Sequence, residues 1–124
     1  MAAPNLLALT TVTPSSINVA PAVTTVIQLI TNAAASASVC RVHSLYVANI
    51  STTTAYNLTI NYYSQAALAG TAYAICSTVS IAPNAGLVVI NRDSNIYMLE
   101  NTSLGIICST ANVLVATCTW DVCS

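Results

Sequence analysis

The side chains that could do acid–base chemistry are few in this sequence of 124 residues. Its carboxylates are Asp93, Glu100 and Asp121, and its histidine is His43. General acid–base catalysis needs two such groups close together in a cleft, and no spacing in the sequence brings two of these residues together. The Gly-x-Ser-x-Gly motif of many serine hydrolases is absent as well. We therefore predict no catalytic residues and a protein that is not an enzyme.

Cysteine chemistry is the next possibility, because the chain has five thiols, on Cys40, Cys76, Cys108, Cys118 and Cys123. The spacing Cys40-Arg-Val-His43 suits two zinc ligands, but a structural zinc site usually needs a second close pair, and Cys118 and Cys123 are too far apart in sequence to be one. We interpret His43 as an ordinary strand residue and most of the cysteines as small buried hydrophobic residues. The sequence therefore predicts no metal and no cofactor.

The start of the sequence, MAAPNLLALTTVTPSS, lacks the positively charged leader of a secretory signal. We therefore expect the chain to fold in a cytosol, where disulfides rarely persist, although an exposed pair can oxidise after release from the cell. Thr, Ser or Asn interrupts each apolar run within a few positions, which argues against a membrane span. Binding to nucleic acid requires clusters of basic residues, and the chain has only Arg41 and Arg92.

The hydrophobic pattern favours β-structure. In residues 56–62, YNLTINY, apolar and polar side chains alternate with the period of two expected of a half-buried strand. Residues 39–50, VCRVHSLYVANI, are apolar on both alternating faces, which is typical of a central strand. Turn-forming clusters, such as Pro-Asn-Ala-Gly at residues 83–86, separate the later apolar runs. The pattern predicts an all-β protein, an antiparallel β-sandwich of jelly-roll or immunoglobulin-like topology. We expect its core to draw on Leu45, Val47, Leu58, Ile60, Ile75, Val79, Val89, Ile107, Val113 and Val115.

Residues 1–21 differ from the rest of the sequence. Pro4, Pro14 and Pro21 lack the amide donor that a central strand requires, so we interpret this segment as an extended arm or an edge strand. The predicted organisation is an N-terminal arm, residues 1–21, followed by a β-sandwich domain, residues 22–124. We expect the arm to pack on a neighbouring subunit through its apolar side chains, which are those of Leu6, Leu7, Leu9, Val12, Ile17 and Val19.

The low charge of the chain indicates assembly. Charged residues make up only 4 % of the sequence, against about 25 % in ordinary soluble domains. Three of them, Arg92, Asp93 and Glu100, fall at predicted turns, which leaves the sheet edges without the charges that normally prevent edge-to-edge association. We therefore expect a homo-oligomer that covers these edges. A closed trimer is the first expectation, and a monomer that adheres only to a lattice is the second.

The turns of residues 80–124 form a recognisable succession. The Pro-Asn-Ala-Gly turn at 83–86 precedes a strand that ends at Arg92-Asp93, and Ile-Tyr-Met-Leu-Glu at 96–100 leads into Glu-Asn-Thr-Ser-Leu at 100–104. This succession resembles the C-terminal half of small virion structural proteins of tailed bacteriophages, especially phages of cyanobacteria. Such proteins usually have more Lys and Asp and fewer cysteines than this chain.

The resemblance implies a virion protein, assembled in the host cytoplasm, that makes protein–protein contacts. Its first implication is a capsid decoration (cement) protein that stabilises the shell by binding the major capsid protein or other virion proteins, with the arm docked on that shell. The alternative is a neck or tail-fibre accessory that joins parts of the virion or binds a host-surface glycan. Six tyrosines and Trp120 could stack on sugars in such a protein, although aromatic residues in strands more often belong to cores and interfaces.

Overall fold

The fold was determined as a computed structural model, which describes residues 5–124. Short runs of β-branched and aromatic residues between turns form strands throughout this part of the chain. One 3₁₀ turn, Arg92–Ser94, separates two of them. The strands are β1 (Val12–Val19), β2 (Ile27–Asn32), β3 (Val39–Asn49), β4 (Tyr56–Gln65), β5 (Ala69–Ile81), β6 (Gly86–Ile90), β7 (Ile96–Met98), β8 (Thr102–Cys108) and β9 (Leu114–Cys123).

Two antiparallel sheets pack face to face, which confirms the predicted β-sandwich. Sheet A has the order β1-β9-β3-β6, with β7 also paired to β3, and sheet B has the order β2-β8-β4-β5. If β6 and β7 are taken as one interrupted strand, the strand pairs are nested: first with last, second with second to last, and so on inward. This nesting is the jelly-roll arrangement, so the strand order decides between the two topologies that the sequence allowed.

The core lies between the inner faces of the two sheets. Leu58 and Ile60 of β4 are completely buried, and Asn57, which precedes Leu58 in the same strand, is exposed. The alternation in residues 56–62 predicts this pattern. β3 lies between β9 and the β6/β7 pair, so the prediction of a central strand at residues 39–50 is also confirmed. The largest fully buried side chains come from both sheets and include Leu45, Leu58, Ile60, Ile90, Met98, Leu104, Ile106 and Leu114.

The core residues predicted in β3 and β4 are correct, whereas those predicted in β8 and β9 are one position out of phase. Leu45, Val47, Leu58 and Ile60 are fully buried as expected, and Ile75, Val89 and Val113 are half-buried and pack against the core. Val79, Ile107 and Val115 are half-buried and lie outside the core. In β8 and β9 the neighbouring residues face the core instead, namely Leu104, Ile106, Cys108, Leu114, Ala116 and Cys118. The consecutive apolar residues of these strands fit either phase, so the tertiary pairing selects which set is buried.

The second half of the proposed arm belongs to the sandwich. Val12–Val19 forms β1 and pairs with β9 from Val12 opposite Cys123 to Val19 opposite Ala116. The sheet of the sandwich therefore begins upstream of residue 22, and this part of the segment takes the edge-strand alternative. Pro14 is compatible with that position because an edge strand needs amide donors on one side only. Pro4 and the other residues before Asn5 lie outside the described part of the chain.

Two buried asparagines join the strand ends to the loops. The Asn49 side chain is 2 % exposed; its Nδ2 donates to the carbonyl oxygens of Thr54 and Ile81, both at 2.9 Å, and its Oδ1 accepts from the Ser51 amide at 2.9 Å. Asn32 similarly donates from Nδ2 to the carbonyls of Ser38 and Met98. A neutral amide can satisfy buried carbonyl groups without the desolvation penalty of a charge.

Removing the Asn49 amide should therefore destabilise the fold strongly. The substitution Asn49→Ala deletes three hydrogen bonds and leaves the buried Ile81 carbonyl without this donor. We expect the free energy of unfolding to fall by roughly 2–4 kcal/mol in urea denaturation. The matched control is Asn57→Ala, at an exposed position of β4, which should change it by less than about 0.5 kcal/mol. Equal urea midpoints for the two variants would contradict this role of Asn49.

Candidate functional site

Three ionisable side chains meet on the outer face of sheet A. Arg41 and His43 lie on β3, and Asp121 lies on β9, directly opposite Arg41 in the strand register. The Asp121 Oδ2 atom accepts hydrogen bonds from Arg41 Nη2 at 3.0 Å and lies 2.5 Å from His43 Nε2. We call these three residues the outer-face cluster.

A β-bulge positions His43. Val42 pairs with Trp120 and Ser44 pairs with Thr119, so His43 is the extra residue of β3 between them. The bulge lets Val42 and Leu45 both face the core, although they are three positions apart, and leaves His43 and Ser44 together on the outer face. The Ser44 and Thr119 hydroxyls lie 2.8 Å apart and continue the polar contacts along the same pair of strands.

The outer-face cluster is partly shielded from water. The Asp121 side chain is 16 % exposed, whereas those of Arg41 and His43 are 30 % and 37 % exposed. Hydrogen bonds from His43 and then Arg41 hold the pKa of Asp121 below its ordinary value. The hydrogen bond with Asp121 likewise raises the pKa of the Arg41 guanidinium. Asp121 is therefore a carboxylate at neutral pH, held in place by two neighbours on β3.

An open depression of about 330 Å³ lies beside this cluster. Its hydroxyl, imidazole and carboxylate groups can exchange hydrogen bonds with a polar ligand. An Asp–His pair also occurs in hydrolytic triads, but such a triad needs a nucleophile bonded to the imidazole. In the described part of the chain no Ser or Thr hydroxyl makes that bond. The depression is lined by Pro14, Ser15, Ser16, His43, Thr119, Trp120 and Asp121.

Sequence spacing does not reveal the contact between His43 and Asp121, which are 78 residues apart. The expectation that no spacing would bring a carboxylate and the histidine together is therefore corrected. Their proximity arises from the pairing of the third strand with the last, which is a long-range feature of the jelly roll. The available signal was that Asp121 lies between Trp120 and Val122, and that His43 follows Val42, within strand-like runs, which favours an outer face for both residues.

The cysteines are free thiols. Cys40, Cys108, Cys118 and Cys123 are buried, and Cys76 is half-buried, which confirms that most of them act as small hydrophobic residues. Burial raises the pKa of Cys108 to about 11 and that of Cys118 to about 12, so both stay protonated. Cys40 packs in the core, whereas His43 faces outward to Asp121. Among residues 5–124 no three His, Cys, Asp or Glu side chains converge as metal ligands.

The six apolar residues expected to contact a partner fall into two groups. Ile17 and Val19 are half-buried and pack against the core of their own chain. Leu7 is 97 % exposed, Leu6 is 40 % exposed and Val12 is 47 % exposed, whereas Leu9 is half-buried. The accessible apolar side chains of this set therefore cluster before β1 and at its first residue.

Thr10 and Thr11, just before β1, are hydrogen-bonded to Ser124, just after β9. The amides of Thr10 and Thr11 donate to the Ser124 carbonyl at 2.9 and 3.0 Å, and the Ser124 amide donates to the Thr11 carbonyl at 2.9 Å. These bonds extend the β1–β9 ladder beyond Val12. The exposed Leu6 and Leu7 thus lie only a few residues before the point where the chain joins β9.

A large part of the sandwich surface lacks charge. Residues 44–91 contain no Lys, Arg, Asp, Glu or His, and they include β4, β5 and β6. β5 is the outermost strand of sheet B, and all six residues of its first half, 69–74, are exposed. This neutral surface and the outer-face cluster are the two candidate regions for function.

Comparison with known proteins leaves these two regions as the basis for function, since no protein-family model and no curated protein matches the chain. Within residues 5–124 no helix is long and apolar enough to cross a membrane.

The pKa of Asp121 predicts how the outer-face cluster responds to acid. A carboxylate whose pKa is lower in the folded chain than its ordinary value of 3.8 stabilises the fold above that value, and its contribution is lost as the pH falls through the folded-state pKa. Because its two partners are about one-third exposed, we expect Asp121→Asn to lower the free energy of unfolding by roughly 0.5–1 kcal/mol at pH 7.

Urea denaturation at pH 7 and in acid measures this effect. The difference between the wild type and Asp121→Asn should shrink as the pH is lowered below the folded-state pKa of Asp121. The control is Asp93→Asn, which removes an exposed carboxylate outside the cluster and should change stability by less than about 0.5 kcal/mol at pH 7. A difference for Asp121→Asn that grows in acid would show that the sign is wrong.

Proposed function

We propose that this protein is a non-enzymatic structural protein of a phage virion, and specifically a capsid decoration (cement) protein. The observation that carries the proposal is the neutral surface formed by residues 44–91, which includes an edge strand, β5, that is exposed over its first half. Unpaired strand edges without charge favour pairing with other proteins, and natural monomers usually avoid them. A protein whose function is to be covered by a shell has no need of that protection.

The resemblance of residues 80–124 to small virion proteins of tailed phages supports the same proposal. Its characteristic turns are surface connections in this sandwich: residues 83–86 join β5 to β6, and Arg92–Ser94 forms the 3₁₀ turn between β6 and β7. A capping box fixes that turn, since Asn91 Oδ1 accepts from the Asp93 and Ser94 amides. The charged turn thus follows from local hydrogen bonding and exposure rather than from catalysis.

The proposed partner is the major capsid protein of the same virion, and the proposed contacts are apolar. Leu6, Leu7 and Val12 present accessible side chains beside a free sheet edge, β1. Apolar pockets of the partner can receive these side chains, whereas Pro14 limits the backbone pairing that β1 can offer. In this proposal the protein is assembled in the host cytoplasm, remains in the virion and strengthens the shell without a cofactor or nucleic acid.

The open depression favours a second candidate function. As a neck or tail-fibre accessory, the protein would bind a host-surface glycan there, because hydroxyl and carboxylate groups such as those of Ser16, Thr119 and Asp121 can bind sugar hydroxyls. This role would require few copies for each particle. The decoration role would require many copies in a fixed ratio to the major capsid protein.

Purified virions that contain this protein test both roles. We expect quantitative gel staining to show many copies in a symmetric ratio to the major capsid protein, and particles without it should lose their shells at lower temperature. A few copies for each particle, with host adsorption that depends on Asp121, would favour the accessory role instead. Absence of the protein from washed virions would overturn the proposal of a virion protein.

The accessible leucines test the contact itself. The double substitution Leu6→Ser and Leu7→Ser leaves β1 intact, and we expect it to retain the β-sheet signal in circular dichroism while lowering occupancy on the particle by at least about tenfold, because two apolar anchors are lost. The control, Val23→Ser with Leu99→Ser, removes two exposed apolar side chains that lie outside both this segment and residues 44–91, and it should leave occupancy unchanged. Full occupancy by the leucine variant would contradict docking through this segment.

A further inference from the structure

The free strand edges of the two sheets differ in how well they are protected. β1 contains Pro14, and β2 has only six residues with an irregular register between Gln28 and Ile30. The β6/β7 edge is interrupted by the turn that holds Arg92 and Asp93. Proline, short length, irregular pairing and charge each discourage the addition of another strand. β5, in contrast, has 13 residues and contains neither a charged residue nor a proline.

The first half of β5 is well suited to accept a strand. Residues 69–74 are all exposed, and apart from Tyr73 their side chains are small, so another backbone can approach closely. Residues 72–74 pair with Tyr63, Tyr62 and Asn61 of β4 in regular register. In a regular edge strand, alternate residues direct their N–H and C=O groups away from the sheet. In β5 these groups face away from β4, on the side with no neighbouring strand.

The second half of β5 is less suitable. Thr78 has a left-handed backbone conformation, with φ of 53°, and its amide donates to Thr59 Oγ1 at 2.9 Å instead of continuing the ladder. The register with β4 shifts at this point, between Leu58 and Ile60. Further shifts, between Ile60 and Asn61 and between Tyr63 and Gln65, together with the positive φ of Gly70, limit the regularly paired part of the edge to residues 72–74, centred on Tyr73.

Charge and aromatic exposure indicate which strand would occupy this edge. A charged partner strand would lose hydration opposite β5 and find no counter-charge, since residues 44–91 have none. The β5 strand of a second copy is neutral and equally small, so it matches. Tyr73 is 60 % exposed although it lies opposite Tyr62, whose side chain packs against the core. A second β5 would cover this exposed ring.

We propose that β5 pairs antiparallel with β5 of a second copy of this chain, around a twofold axis perpendicular to sheet B and close to Tyr73. Such an axis keeps the inner face of sheet B in one copy on the same side as the inner face of sheet B in the other. The two Tyr73 rings then become cross-strand neighbours. Each four-stranded sheet B becomes half of a continuous eight-stranded sheet. Both copies use the same edge, so the assembly closes as a dimer and does not grow further.

This dimer is a more specific unit than the trimer expected from surface composition. It covers the β5 edge and would leave the exposed Leu6, Leu7 and Val12 for the proposed contact with the shell. Sedimentation equilibrium of the full chain should give about twice the monomer mass of 12.8 kDa at high concentration. The variant Tyr73→Lys should stay monomeric, because it places two like charges beside each other at the axis. The matched control, Thr13→Lys, adds the same charge to exposed β1 and should still dimerise.

Hydrogen exchange on the wild type provides a test without any substitution. The outward-facing amides among residues 72–74 should exchange about tenfold more slowly at protein concentrations that place nine-tenths of the chains in dimers, while β1 and β2 amides stay unchanged. Protection on β1 instead of β5, a stable trimer, or a Tyr73→Lys variant that dimerises as the wild type does would each overturn the inference. A monomer that still coats virions would overturn it and leave the proposed function standing.

Discussion

Buried polar groups at the strand ends must find hydrogen-bond partners, and the rest of this fold depends on how a nearly uncharged chain meets that requirement. Asn32 and Asn49 each bond two backbone carbonyls, which holds the loops around them against the core. Ser103, which is fully buried, accepts from the Leu68 amide and donates to the Gln65 carbonyl, and so fixes the β4–β5 turn on sheet B. Amides and hydroxyls thus do what buried charges would do at greater cost.

Because amide and hydroxyl groups satisfy the buried backbone, the few charged residues are placed mainly toward the surface. In the described part of the chain, two of them join His43 in the outer-face cluster, where the β3 bulge keeps the histidine out of the core. Arg92 and Asp93 occupy an exposed turn, and the long stretch between Arg41 and Arg92 has none. The result is a sandwich with one polar face and one largely neutral sheet, so two different kinds of contact are available on opposite sides of a small domain.

The sequence predicts local features of this fold better than long-range ones. The alternation of residues 56–62 identifies both the strand and its buried face, because only one phase places Leu58 and Ile60 inside. β8 and β9 contain adjacent apolar residues, such as Ile106 and Ile107, so their phase depends on pairing with distant strands. The His43–Asp121 contact depends on the pairing of β3 with β9 and on the bulge at His43, which no local sequence pattern predicts. Strand identity was therefore predictable, whereas register and the candidate site were not.

The nested strand order has a consequence for synthesis of the protein. β9, the last of the described strands, lies between β1 and β3 in sheet A, so neither of those strands gains this neighbour until the ten residues of β9, Leu114–Cys123, have been made. Closing such long loops is entropically costly and slows folding. The central pairing of sheet A is therefore completed only after β9 has been synthesised. Until then the neutral strand edges remain exposed to other chains, which favours aggregation before the fold is complete.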